Sequence, residues 1–145
     1  MMRIILATAA VAIGATIVMA QGDPIATRKQ TMKGVGEATK VGTAMAKGEA
    51  PFDAAKAREI FTTYDAAAKR MPTLFPENSK TGGETTAAPK IWEDMAGFRA
   101  RFAKFDKEAN EALTATHDLE SFKAAFGTVT KNCGACHETY RIKKS

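Results

Sequence analysis

Cysteine and histidine are scarce in this sequence, with two of each among 145 residues. A zinc centre would need ligands from elsewhere in the chain, because the only histidine outside the C-terminal stretch Cys133 to His137 is His117. No segment carries a strand signal, so Gly34-Val35-Gly36 follows no strand and is not a phosphate loop. Beyond Ala20 no run is apolar enough to cross a membrane. Basic side chains outnumber acidic ones 21 to 16, yet the lysines are scattered among acids along helical faces. The basic stripe interleaved with aromatics that nucleic acid would require is missing. No serine or carboxylate pair has a histidine partner placed by the pattern, which argues against a hydrolytic enzyme.

What is present begins with Met1 to Ala20, which carries one early charge at Arg3 and then a small, apolar run ending Val18-Met19-Ala20. This predicts a secretory signal peptide over residues 1–20, with small residues where a signal peptidase inspects and cleavage before Gln21. The competing reading is an uncleaved anchor, since Ile4 to Ala20 is 17 residues, near the lower limit for a span. Cleavage leaves one domain of 125 residues, 21–145, in which 20 basic side chains stand against 16 acidic ones for a net charge of +4. The expected compartment is the periplasm, with no membrane contact after cleavage. In an oxidising compartment two thiols form a disulfide unless something else consumes them.

Cys133-Gly134-Ala135-Cys136-His137 supplies that something. Two cysteines three apart, followed directly by histidine, have the spacing by which two thiols add across the vinyl groups of a haem while the imidazole ligates its iron. The helical pattern over 119 to 140 puts the cysteines at i and i+3 and His137 at i+4 from the first, so all three point to one face. A redox dithiol is a weaker reading, because it normally sits at a strand-to-helix junction. A metal site or a structural disulfide are the remaining alternatives. One covalently attached haem c is the expected cofactor.

The rest of the chain reads as four helices. Asp23-Pro24 starts the first, over about 24 to 47, with Ile25, Arg28, Met32, Val35 and Gly36 on one face. Its glycines weaken it by roughly 1 kcal/mol each but permit close approach by another helix or a flat cofactor. Asp53 caps a second helix that runs to about Arg70 with Ile60, Phe61, Tyr64 and Ala67 facing inward. Residues 72 to 88 form one long connection without periodicity, in which Leu74 and Phe75 are expected to peg the loop to the core. A third helix is expected over about 89 to 114, its stripe running Ile91, Trp92, Met95, Phe98, Phe102, Phe105, Ala109 and Leu113. Such an aromatic stripe is ordinarily core, and Phe98 or Phe102 are its candidates for the wall of a haem pocket, with Tyr140 of the last helix a further one. Asp118 caps the last helix, whose stripe of Leu119, Phe122, Phe126, Val129, Cys133, Cys136 and Tyr140 has no phase break. The cysteines thus stand where core residues otherwise would. Short first and last connections with a longer middle one predict an all-α, antiparallel up-down-up-down four-helix bundle. His117 is expected to be a solvated turn histidine.

In such a bundle the end of the last helix lies beside the start of the first. Met32, eight residues and about 12 Å into the first helix, matches the depth of His137. Met95 passes this test less well, Met45 lies at the wrong end, and Met71 abuts Pro72. Met32 is therefore the candidate for the iron's second axial position, against the alternative of an ordinary core methionine.

The segments Arg28-Lys29-Gln30-Thr31-Met32-Lys33, Gly48 to Asp53, Leu74-Phe75-Pro76, Pro89-Lys90-Ile91-Trp92 and Cys133 to Arg141 together resemble the class II c-type cytochromes. That group comprises cytochrome c′ and its low-spin relatives of the c-556 type. The resemblance implies that Met32 faces the distal side of the iron. As a ligand it would make the chain an electron carrier of the c-556 type that serves redox partner proteins and is not an enzyme. Without ligation the iron stays five-coordinate, as in cytochromes c′, and binds nitric oxide or carbon monoxide. The resemblance also places Arg28 near the haem propionates, where a guanidinium pairs bidentately, and Arg141 beside the proximal ligand. Lys131, Lys143 and Lys144 are candidates for a basic rim that meets an acidic partner. Members of the c′ type are commonly dimers through the first two helices and c-556 types look monomeric, so monomer or homodimer is implied.

Overall fold

A computed structural model describes residues 22–143. The expected signal peptide and its cleavage site, like Lys144, lie outside the described residues. Helix α1 spans Pro24–Lys47, α2 Ala54–Arg70, α3 Lys90–Glu93, α4 Met95–Ala115 and α5 Leu119–Tyr140. No strand occurs among the described residues. The four long helices close a ring in which α1 and α4 each pack against both α2 and α5. This is the expected antiparallel four-helix bundle.

Local chemistry sets the helix ends. Asp23 Oδ1 accepts from the Ile25 amide at 2.9 Å, and proline fills the first helical position of α1. Gly48 stops α1 at φ +76°, a left-handed turn that glycine adopts without Cβ strain. Asp53 Oδ1 takes the free amides of Ala55 and Lys56 at the start of α2. Asp118 and Ser121 form a reciprocal capping box at the start of α5.

The third helix departs from expectation, because residues 89 to 114 are not one helix. A single turn, α3, ends at Asp94, whose backbone leaves the helical region at φ −134°, ψ 57°. Asp94 then caps α4 by accepting from the Gly97 amide at 3.0 Å. Its other oxygen accepts from the Tyr140 hydroxyl at 2.8 Å. A Cβ on Gly97 would lie 2.7 Å from that hydroxyl, so glycine makes room for the pair.

Two aromatic groups fill the bundle. Phe61, Phe122 and Phe126 stack through its middle at centroid separations of 5.9 and 5.3 Å, with Tyr64 against Phe105 at 5.5 Å. Phe75, Phe98, Phe102 and Tyr140 form the second group at the other end, with centroid separations of 4.7 to 5.2 Å. Each such ring contributes about 1.5–3 kcal/mol by leaving water. Gly42 is the one glycine of α1 that close packing requires, since a Cβ there would sit 2.7 Å from Phe126 Cζ.

The connection from 72 to 88 is more ordered than its lack of periodicity implied. It carries 3₁₀ turns at Met71–Thr73 and Glu77–Ser79. Phe75 is buried and Leu74 half-buried, as expected of pegs, and Trp92 Nε1 donates to the Phe75 carbonyl at 3.0 Å. The chain after α5 is stitched to the same connection. The Ala88 amide donates to Tyr140 O at 3.0 Å, the Ile142 amide to Thr86 O at 2.8 Å, and Ala87 and Arg141 form an isolated antiparallel bridge.

Candidate functional site

The last two turns of α5 face a cleft of about 430 Å³, its open mouth included. From α5 it is lined by Asn132, Cys133, Cys136 and His137, from α4 by Arg101, Phe102 and Phe105, and from α1 by Met32 and Val35. The i, i+3, i+4 spacing on one helix brings the two sulfurs and the imidazole to the same wall. The crossing of α1 brings Met32 into the same cleft. Both cysteines are free and half-buried. Among the described residues no three histidine, cysteine or carboxylate side chains converge, so the site is not a closed zinc centre.

Two free thiols at one wall of a largely apolar cleft, with an imidazole and a thioether in the same cleft, form a donor set suited to a covalently held haem. Burial pushes both thiols above their ordinary range, although the Arg101 charge partly offsets this at Cys136. Partial burial, and then the Arg141 charge, lower the His137 pKa and favour the neutral ring, the form able to ligate a metal.

The expected pocket residues divide. Phe102 lines the cleft; Phe98 sits behind it, 5.1 Å between ring centroids. Tyr140 is buried one layer further back, bonded to Asp94. Arg141 is exposed at the end of α5, near enough to His137 for its charge to act there. Met95 is half-buried against the core and Met45 fully buried, and neither lines the cleft. His117 is exposed in the turn before α5, as expected, and Lys131 and Lys143 are exposed.

Arg28 neither lines the cleft nor extends into solvent. It is 5% exposed, and its Nη1 donates to Leu74 O at 3.1 Å and Ser79 Oγ at 3.0 Å. Its Nη2 donates to Ser79 O at 3.0 Å and Thr85 Oγ1 at 3.3 Å, and the guanidinium stacks on Phe75 at 4.5 Å. Both terminal nitrogens bond to the 72–88 connection. Arg28 is a clamp between α1 and that connection.

Sequence reasoning missed Val35, Arg101, Phe105 and Asn132 as cleft residues. Val35 and Phe105 were legible as members of apolar stripes, one turn from Met32 and from Phe102. Asn132 is a polar residue at i+3 from the buried Val129, and its amide donates to Glu108 and to Val129 O. A polar side chain beside an apolar stripe was its signal. Arg101 gave none.

The family model described as Cytochrome C′ matches residues 23–141. A cytochrome c′ of Rhodopseudomonas palustris is 46% identical over 99% of this chain and 100% of its own length. A cytochrome c-556 of the same organism is 34% identical over 99% of both chains. The solved structure of cytochrome c′ from Rhodopseudomonas palustris superposes with a TM-score of 0.83 at 48% identity, over 86% of this chain and 100% of that one.

Proposed function

Because this chain belongs to the class II c-type cytochromes, the cytochrome c′ family, and carries covalently attached haem c, we propose that it is a periplasmic electron carrier with His137 and Met32 as axial ligands. One observation carries the reading: Met32 from α1 and His137 from α5 line the same cleft as both cysteines. The iron, cycling between ferric and ferrous, supplies the one-electron chemistry. Cys133 and Cys136 would hold the macrocycle through thioether bonds, and the neutral imidazole of His137 would ligate its iron. The thioether of Met32, lining the same cleft, would supply the second ligand and favour the reduced state. Phe102, Phe105 and Val35 exclude water from the iron. The apolar run before Gln21 supports export to the periplasm.

The 46% identity to a cytochrome c′, above the 34% to a c-556, favours a second reading. In it Met32 lines the cleft without ligating, the iron is five-coordinate, and nitric oxide or carbon monoxide binds. The two differ in the reduced spectrum of the haem-loaded protein. A sharp α band indifferent to carbon monoxide supports the carrier. A high-spin spectrum that shifts with the gas rejects it in favour of the second reading.

A further inference from the structure

Two arginines flank the cleft without partners. Arg101 lines it from α4, and Arg141 follows α5 directly. Among the described residues neither side chain makes a hydrogen bond or an ion pair, and both are exposed. Of the other cations nearby, Lys104 pairs with Glu108 and Lys90 with Glu93, while Arg99 and Lys143 are exposed and add to the same positive face. Arg101 lines the cleft together with Cys136 and His137, and Arg141 stands four residues past His137 at the end of α5. Of the nearby carboxylates, Asp94 is occupied by Tyr140 and Gly97, while Glu138 is exposed and one residue past His137.

Next to Arg141 stands Ile142, 49% exposed, one of only two large apolar side chains so exposed among the described residues. Its backbone is held by the bridge to Thr86 and Ala87, so the apolar group is presented from a fixed position. Arginine beside a rigid exposed aliphatic is the composition of an interface centre, in which the apolar group supplies area and the cations supply orientation and on-rate.

We propose that Arg101, Arg141 and Ile142 form the docking surface for a redox partner protein that presents an acidic face with an apolar centre. The proposal rests on the carrier reading and places electron exchange at the side of the cleft that Arg101 flanks. Uncompensated positive charge there raises the encounter rate with a negative partner, and salt weakens it because the charges are exposed.

The test uses the haem-loaded protein and two small oxidants of opposite charge, ferricyanide and tris(phenanthroline)cobalt(III). The rate with ferricyanide is expected to fall as ionic strength rises, and Arg101→Gln and Arg141→Gln each to lower it about threefold at low salt. The rate with the cobalt complex should not fall in either variant. Lys56→Gln, the same charge change at the far end of the bundle, should leave both rates within a few tenths of wild type. Equal effects from all three substitutions, or a ferricyanide rate indifferent to salt, overturn the proposal. As a readout that needs no turnover, titration with oligoglutamate should shift backbone amides of 98–104 and 137–143. In Ile142→Ser those shifts should persist, while binding of an acidic peptide containing leucine weakens; shifts elsewhere overturn the assignment. Carbon monoxide binding by the same preparation would reject the carrier reading separately, without altering these charge effects.

Discussion

The Tyr140 hydroxyl donates to Asp94 Oδ2 at 2.8 Å and so joins the end of α5 to the residue that starts α4. The bond spans 46 residues and explains why an apparently continuous helical stripe breaks at Asp94. Capping of Gly97 by the other oxygen makes the carboxylate useful only when ionised.

Tyr140→Phe should therefore destabilise the protein in a pH-dependent way. The Tyr140 hydrogen bond is the largest cause holding the Asp94 pKa below its ordinary value. A carboxylate with a depressed folded pKa stabilises the fold above its unfolded pKa of about 3.9 and stops doing so as pH falls through the folded value. The melting temperatures of wild type and variant should differ constantly between pH 5 and 7 and converge below about pH 4. A gap that persists in acid would assign the loss to packing instead.

Gly42→Ala and Gly34→Ala should have opposite signs. A methyl at 42 meets the Phe126 ring, while one at 34 meets nothing within 4 Å. Overpacking costs about 1–3 kcal/mol, which exceeds the helix-propensity gain of up to about 1 kcal/mol. Urea titrations should show Gly42→Ala below wild type and Gly34→Ala above it, and Phe126→Leu should partly restore Gly42→Ala.

Arg28→Met should loosen the 72–88 connection. It removes four hydrogen bonds and leaves the buried Ser79 without its guanidinium partner. A loss of about 2–3 kcal/mol is expected, with faster proteolysis between Leu74 and Thr85. The reduction potential should change little, because Arg28 does not border the cleft. A large shift in potential with an unchanged cleavage rate would support the propionate role instead.

Met32→Ala should convert a low-spin protein to a high-spin one and open it to carbon monoxide. Optical spectra of the reduced protein with and without the gas decide this. An unchanged spectrum rejects Met32 as a ligand.

The ends of α1 and α5 were legible from sequence because their signals are local. Asp23-Pro24, Gly48 and Asp118 act within one turn, and the structure places those helices at Pro24–Lys47 and Leu119–Tyr140 as expected. The cysteines and His137 were legible for the same reason, their geometry being fixed by helical spacing alone. Met32 came within reach through topology, since depth along antiparallel helices can be counted. What escaped depends on distant partners. The break at Asp94 needs Tyr140, and the role of Arg28 needs Ser79 and Thr85, which are 51 and 57 residues away. Arg101 reaches the cleft through the rotation of α4, which no local pattern sets.

The stitching of the 72–88 connection has one more consequence. Arg28 ties it to α1, and the Ala87–Arg141 bridge ties it to the end of α5. The connection is thus a belt around one end of the bundle, buckled to both helices that supply the proposed axial side chains. Their separation is set by this girdle as well as by the contacts inside it. An iron held between them would meet a frame already fastened to both helices, one that leaves little room for motion when it gains or loses an electron.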